Sequence, residues 1–139
     1  MFVIKPKKTP ADIAAVARAK LAAEYALYPK LVTKRKLGFA AAAVFATPFE
    51  EIVSKSCAQT VYVPRCAIAL LARERLKLSY PEIGRFMKRD HSTIMHACER
   101  GRRLLAEEAD FAARCAEIET LLWPSNEGEP LSRSGEGQG

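Results

Sequence analysis

The stretch from Ser79 to Arg100, SYPEIGRFMKRDHSTIMHACER, decides the fold. Ser79 reads as a helix N-cap, Pro81 falls in the first turn, and Glu82 three residues after the cap closes a capping box. Ile83 and Phe86 then share one face of a helix of about two turns. MKRD is a short turn, and Asp90 caps the next helix, HSTIMHACERGRRLL, in which Ile94, Ala97, Cys98, Leu104 and Leu105 can face a core. Two helices separated by a turn of about four residues predict a helix-turn-helix unit. Gly101 weakens the expectation for the far half of the second helix.

Working outward, the rest of the chain also reads as helices. TPADIAAVARAKLAAEYAL has Thr9 as cap, Pro10 at the first helical position and Asp12 three residues after the cap; its apolar stripe of Ile13, Val16, Ala17, Leu21, Ala22 and Leu27 is loose, and Pro29 ends it. KLVTKRK reads as a basic, solvated linker. LGFAAAAVF predicts a short buried helix, and TPFEEIVSK a second one capped by Thr47. A polar stretch, SCAQT, leads to PRCAIALLARERL, with Pro64 at its start. AEEADFAARCAEIETLLW makes a last amphipathic helix stopped by Pro124, and SNEGEPLSRSGEGQG has the composition of a disordered tail. The expected architecture is all-α: a compact helical bundle containing a helix-turn-helix unit, with an extra N-terminal helix and a disordered C-terminal tail. The expected divisions are 1–37 for the N-terminal helix and basic linker, 38–123 for the helix-turn-helix domain, and 124–139 for the tail.

A chain of 139 residues with 49% hydrophobic and 27% charged residues suits one modest domain. No apolar run approaches the roughly 18 residues that span a bilayer, and MFVIKPKK lacks the h-region and cleavage site of an export signal, so a cytoplasmic, nucleoid-associated protein and no membrane are expected. Cys57, Cys66, Cys98 and Cys115 form no CxxC pair, and His91 and His96 are five apart rather than the four that would pair them on one face; no metal site is expected. Net charge is +6, unevenly spread: residues 1–54 and 55–103 are basic, while residues 104–139 carry two Lys+Arg against eight acids. A basic body with an acidic end suggests a polyanionic partner, although solvated faces would also account for it.

In a helix-turn-helix the N-terminal residues of the second helix meet base edges in the major groove. Arg89 can take two acceptors of a guanine, Asp90 can accept from a cytosine amino group, and His91 or Thr93 can pack on a thymine methyl. Capping alone would account for Asp90, and the two roles are compatible. His96 could face the groove with Arg89 and Ser92 or bond within the bundle, and Ser92 could be simply a first-turn residue.

These residues carry a resemblance. SYPEIGRFMKRDHSTIMHACER resembles the signature of the carboxy-terminal DNA-binding domain of the bacterial replication initiator DnaA, whose core runs RDH[ST]T…HA; FEEIVSKS and VPRCAIALLARE resemble the family's upstream segments, and the helix order fits from Gly38 to Leu122. The resemblance implies that Arg89, Asp90, His91, Ser92, Thr93 and His96 fall on major-groove and adjacent phosphate contacts. It also implies that Tyr80, Pro81 and Arg73 approach the backbone or groove edge, and that Arg65 starts the long helix near the minor groove. Two departures stand out. SCAQT replaces a loop whose arginines enter the minor groove, leaving Lys55 and Arg65 at its edges. Met87 and Lys88 replace a two-glycine turn one residue longer, where Lys88 could add a phosphate contact.

No GxxxxGK[ST] loop occurs, so the expectation is a stand-alone DNA-binding domain without the initiator's ATPase. It would bind double-stranded DNA, at a DnaA-box-like site or a new one, as a transcriptional regulator or a replication-origin binding factor. No cofactor is implied. The alternative is a protein-interaction module that has lost readout and holds a protein partner through its N-terminal or acidic C-terminal helix. An enzyme is least expected, since no nucleophile–base pair, carboxylate pair or metal set is apparent.

Overall fold

A computed structural model describes residues 9–123, and within them the secondary structure is helical: α1 (Pro10–Leu27), α2 (Lys34–Val44), α3 (Phe49–Ile52), α4 (Gln59–Glu74), α5 (Tyr80–Met87), α6 (His91–Glu107) and α7 (Ala109–Leu122). The expected disordered tail, 124–139, lies outside the described residues.

The bundle is built around α2. Every residue from Lys36 to Val44 is buried, and α1, α4 and α7 all pack against this helix. Ala40–Ala43 end at their β-carbons, so neighbouring helices approach it closely on several sides. Leu37, Ile52, Ile68, Leu71, Ile83, Met87, Ile94 and Ile118 complete one continuous apolar core. Phe49 links α3 to both sides of it, edge-on to Phe39 and tilted against Phe86.

The N-terminal helix belongs to this bundle. Thr9 Oγ1 accepts from the Asp12 N–H and Asp12 Oδ2 from the Thr9 N–H, both at 3.1 Å, which completes the expected capping box. Of the loose stripe, Ala17 and Leu21 are buried, whereas Val16 and Leu27 are exposed. The Tyr25 hydroxyl donates to the Leu121 carbonyl at 2.9 Å and so ties α1 to the end of α7.

Three local expectations are corrected. The segment read as a solvated linker already enters α2 at Lys34, and Lys36 is fully buried. Its Nζ donates to the Tyr28 and Leu31 carbonyls and lies 3.8 Å above the Tyr25 ring. Burial pushes the Lys36 pKa down, against an opposing pull from Glu24. Thr47 does not cap α3; its hydroxyl donates back to the Phe45 carbonyl at 3.0 Å, and Pro48 precedes the helix without a side-chain cap. Lastly, α4 starts at Gln59, so Pro64 lies inside it. A proline there leaves the carbonyl of Thr60 without its usual donor, which is tolerable because Thr60 is exposed and water can serve.

Against the weakened expectation at Gly101, α6 runs through it to Glu107. A β-carbon at Gly101 would lie 3.0 Å from the Cys66 carbonyl oxygen, so the glycine allows a close approach of α4 and α6 there.

Candidate nucleic-acid interface

The site begins with the hinge between α5 and α6. Ser79 and Glu82 cap α5 reciprocally: Glu82 Oε1 accepts from the Ser79 N–H at 3.0 Å, and Ser79 Oγ accepts from the Glu82 N–H at 3.2 Å. Those bonds from Ser79 hold the Glu82 carboxyl below its ordinary pKa, helped by Lys34 and Arg85. Met87 is the last residue of α5 and is buried, and Lys88 ends the helix in the left-handed region (φ 61°, ψ 43°). The turn that lacks two glycines is therefore made with Met87 buried at the end of α5 and a lysine where glycine is favoured. The Arg89 N–H donates to the Gly84 carbonyl at 2.9 Å, closing the turn over α5.

Asp90 is the N-cap of α6, its Oδ1 accepting from the Thr93 N–H at 3.0 Å. Hydrogen bonds from the Thr93 side chain and N–H, joined by Ser92, hold its carboxyl below the ordinary range. The cap fixes the phase of the helix: Ile94, Ala97 and Cys98 point into the core, and His91, Ser92, Thr93 and His96 stand exposed on the first two turns. Pro81 is exposed at the start of α5, and Lys88 is exposed in the turn.

Three arginines lie differently from the sequence expectation. Arg65, expected near the minor groove, is only 7% exposed; its Nε donates to the Ile52 carbonyl at 2.5 Å and its Nη2 to the Ser54 carbonyl at 2.7 Å. Position 65 falls in the interior of α4, facing α3, so this cation closes the α3–α4 junction. Arg73, expected at the DNA backbone, donates to the Leu78 carbonyl at 3.2 Å and stacks over the Tyr80 ring at 4.2 Å, joining α4 to the start of α5. Tyr80 is correspondingly half-buried. Arg89 is also half-buried: Nη1 donates to the Lys88 carbonyl at 3.0 Å and Nη2 to the Ser54 carbonyl.

Two features escaped sequence reasoning. Met95, 44% exposed, lies on the accessible side of α6 between Ser92 and His96. Its spacing from His91 and Ser92 could have revealed it, since positions three and four apart share a helix face. The Ser54 carbonyl is a main-chain acceptor, which no residue type signals.

The remaining chemistry-bearing groups are quiet. Burial pushes the Cys66 and Cys98 thiols up to about 11 and Cys115 up to about 12, so all three are protonated at neutral pH; Cys57 is exposed. Among the described residues, no three His, Cys, Asp or Glu side chains are grouped to hold a metal ion, and no helix is long and apolar enough to cross a membrane.

Residues 39–100, which run from the second half of α2 into α6, match the family described as the bacterial dnaA protein helix-turn-helix. Over 79 residues the chain is 34% identical to the chromosomal replication initiator protein DnaA of Lactobacillus johnsonii, a stretch covering 56% of this chain and 17% of that protein. Over 80 residues it is 35% identical to the DnaA proteins of Citrifermentans bemidjiense and of Geobacter sp. (strain M21), covering 57% of this chain and 18% and 17% of theirs. The chain thus spans less than a fifth of the length of these relatives. No solved structure gives a significant match. On this sequence match and the capped α5–turn–α6 geometry together, residues 39–100 are similar to the bacterial dnaA protein helix-turn-helix.

Proposed function

We propose that the chain binds double-stranded DNA sequence-specifically through α5 and α6, as a transcriptional regulator or a replication-origin binding factor with no ATPase activity of its own. One observation carries the reading: the first two turns of α6 expose His91, Ser92, Thr93, Met95 and His96 together, while Ile94, Ala97 and Cys98 anchor the same helix in the core. A rigidly seated helix with a polar leading end is what major-groove readout requires. Thr93 and Met95 offer methyl groups for thymine, the histidines and Ser92 offer donors and acceptors, and Asp90 keeps one carboxylate oxygen beyond its cap bond. Lys88 and Pro81 flank this end, Lys88 as a phosphate ligand. Each good base contact contributes about 1–3 kcal/mol of discrimination, and each neutralised phosphate steepens the salt dependence by about 0.9.

The protein-interaction reading draws on a different surface. Leu27, Tyr28 and Leu31 lie exposed near one another where α1 passes into α2. Such a patch suits a protein partner but leaves the exposed α6 residues without a use, so DNA binding is preferred.

The test is selection from a random duplex library at physiological salt, followed by sequencing of the retained molecules. Enrichment of a short motif supports the proposal, and similarity to the initiator's box would indicate shared sites. Recovery without enrichment, or none, would transfer the function to the interaction reading.

A further inference from the structure

The Ser54 carbonyl joins three segments. It lies just beyond α3, it accepts from Arg65 on α4 at 2.7 Å, and it accepts from Arg89, 35 residues from Ser54, in the α5–α6 turn. Two guanidinium groups thus share one main-chain oxygen. Burial, followed by the nearby Arg89 charge, depresses the Arg65 pKa, so the pairing opposes like charges. It is held by geometry: Arg65 is also bonded to Ile52, and Arg89 also to Lys88.

In Arg89 one N–H of Nη1 and one of Nη2 donate to main-chain carbonyls, so the guanidinium is oriented by the protein itself in the absence of DNA. The segment that Arg89 grips is ordered by its own small bonds: the Ser56 N–H donates to Ser54 Oγ and the Ala58 N–H to Ser56 Oγ, each at 3.2 Å, with Lys55 exposed between them. Arg89 immediately precedes the Asp90 cap, so its bond to Ser54 sets this loop beside the leading end of α6.

We infer that Arg89 is a positioning residue, which registers loop 54–58 and its Lys55 against the leading end of α6 so that helix and loop meet one DNA surface together. The inference rests on the proposed DNA binding for its function, and on the free protein for its geometry.

The experiment has two arms. In the first, duplex affinity is measured over a salt series for wild type, Lys55→Ala, Arg89→Ala, Arg89→Lys and the Lys55→Ala/Arg89→Ala double variant. Lys55→Ala is expected to weaken binding several-fold and lower the salt slope by about 0.9. Arg89→Ala is expected to weaken it at least as much with an unchanged base preference, and Arg89→Lys to fail to restore it, because one ammonium nitrogen cannot replace the two separate nitrogens through which Arg89 reaches Lys88 and Ser54. The double variant should match Arg89→Ala alone. Multiplying effects, a null effect of Lys55→Ala, or loss of one base preference in Arg89→Ala would overturn the inference.

The second arm needs no DNA. Amide hydrogen exchange at Ser56 and Ala58 should accelerate in free Arg89→Ala while α4 keeps its protection, and unchanged exchange would overturn the inference. Failure of wild type to bind any duplex would refute the function, and the exchange arm would still decide the role of Arg89.

Discussion

The carbonyl oxygen of Arg89 lies 2.5 Å from the point that a β-carbon on Gly84 would occupy. The α5–α6 turn folds directly over the Gly84 side of α5, and the Arg89 N–H bonds to the Gly84 carbonyl at 2.9 Å in the same place. Any side chain at residue 84 must push main chain away, because no flexible side chain stands there to yield. Gly84→Ala is therefore expected to cost about 1–3 kcal/mol, the range for overpacking a fitted site. It should also turn the leading end of α6, so duplex affinity should fall further than lost stability explains when measured well below the melting temperature. A variant with unchanged melting and unchanged affinity would show that the turn has slack.

Lys88 separates stability from binding. Its φ of 61° and ψ of 43° lie where a side chain is strained and glycine is not. Lys88→Gly should stabilise the fold by about 1 kcal/mol, which is roughly 3–5 °C in melting temperature for a domain of this size. The same change removes an exposed cation beside the α6 cap, so affinity should fall with the salt slope shallower by about 0.9. Calorimetry and a salt titration on the same variant check both signs. Affinity that rises with stability would place Lys88 off the DNA.

Arg65 belongs to the fold. Removing its guanidinium leaves the Ile52 carbonyl and one bond of the Ser54 carbonyl unsatisfied in a buried place. Arg65→Met, which keeps the aliphatic stem, should destabilise by about 3 kcal/mol on the range for hydrogen bonds to charged groups. The loss should appear as lower melting, with the base preference of the folded fraction intact. A variant with wild-type melting and uniformly weaker DNA binding would return Arg65 to the DNA surface near the minor groove.

What was legible in the sequence is what short-range chemistry determines. Thr9 with Asp12, Ser79 with Glu82, and Asp90 with Thr93 are capping contacts within three residues of each other, so residue type and spacing identify them, and they set the phase of α1, α5 and α6. Once Asp90 is the cap, periodicity separates buried Ile94 and Ala97 from exposed Ser92 and His96. Long-range main-chain partners were invisible. Lys36 read as a solvated cation and Arg65 as one near the minor groove, yet both are buried, because main-chain carbonyls that no residue type signals accept hydrogen bonds from them. The start of α4 was missed for a related reason: Pro64 suggested a first turn, but an exposed Thr60 carbonyl tolerates a proline further in.

Acid should loosen the α5–α6 unit before the rest of the bundle, and Asp90 provides the test. Its folded carboxyl, held down chiefly by hydrogen bonds from Thr93, titrates below its ordinary 3.8, and Glu82, held down by Ser79, titrates below its ordinary 4.5. Since both folded values are depressed, the unfolded chain binds more protons in this range, and stability rises with pH across it. The contribution is present above the ordinary carboxyl values and is lost as pH falls through the folded ones. Asn caps a helix nearly as well as Asp but does not titrate. Asp90→Asn should therefore match wild type at neutral pH in melting temperature and lose less stability between pH 5 and about pH 3, with Glu82 supplying the remaining slope. Parallel acid limbs for the two proteins, followed by circular dichroism, would mean that the Asp90 carboxylate caps α6 without its charge contributing to stability.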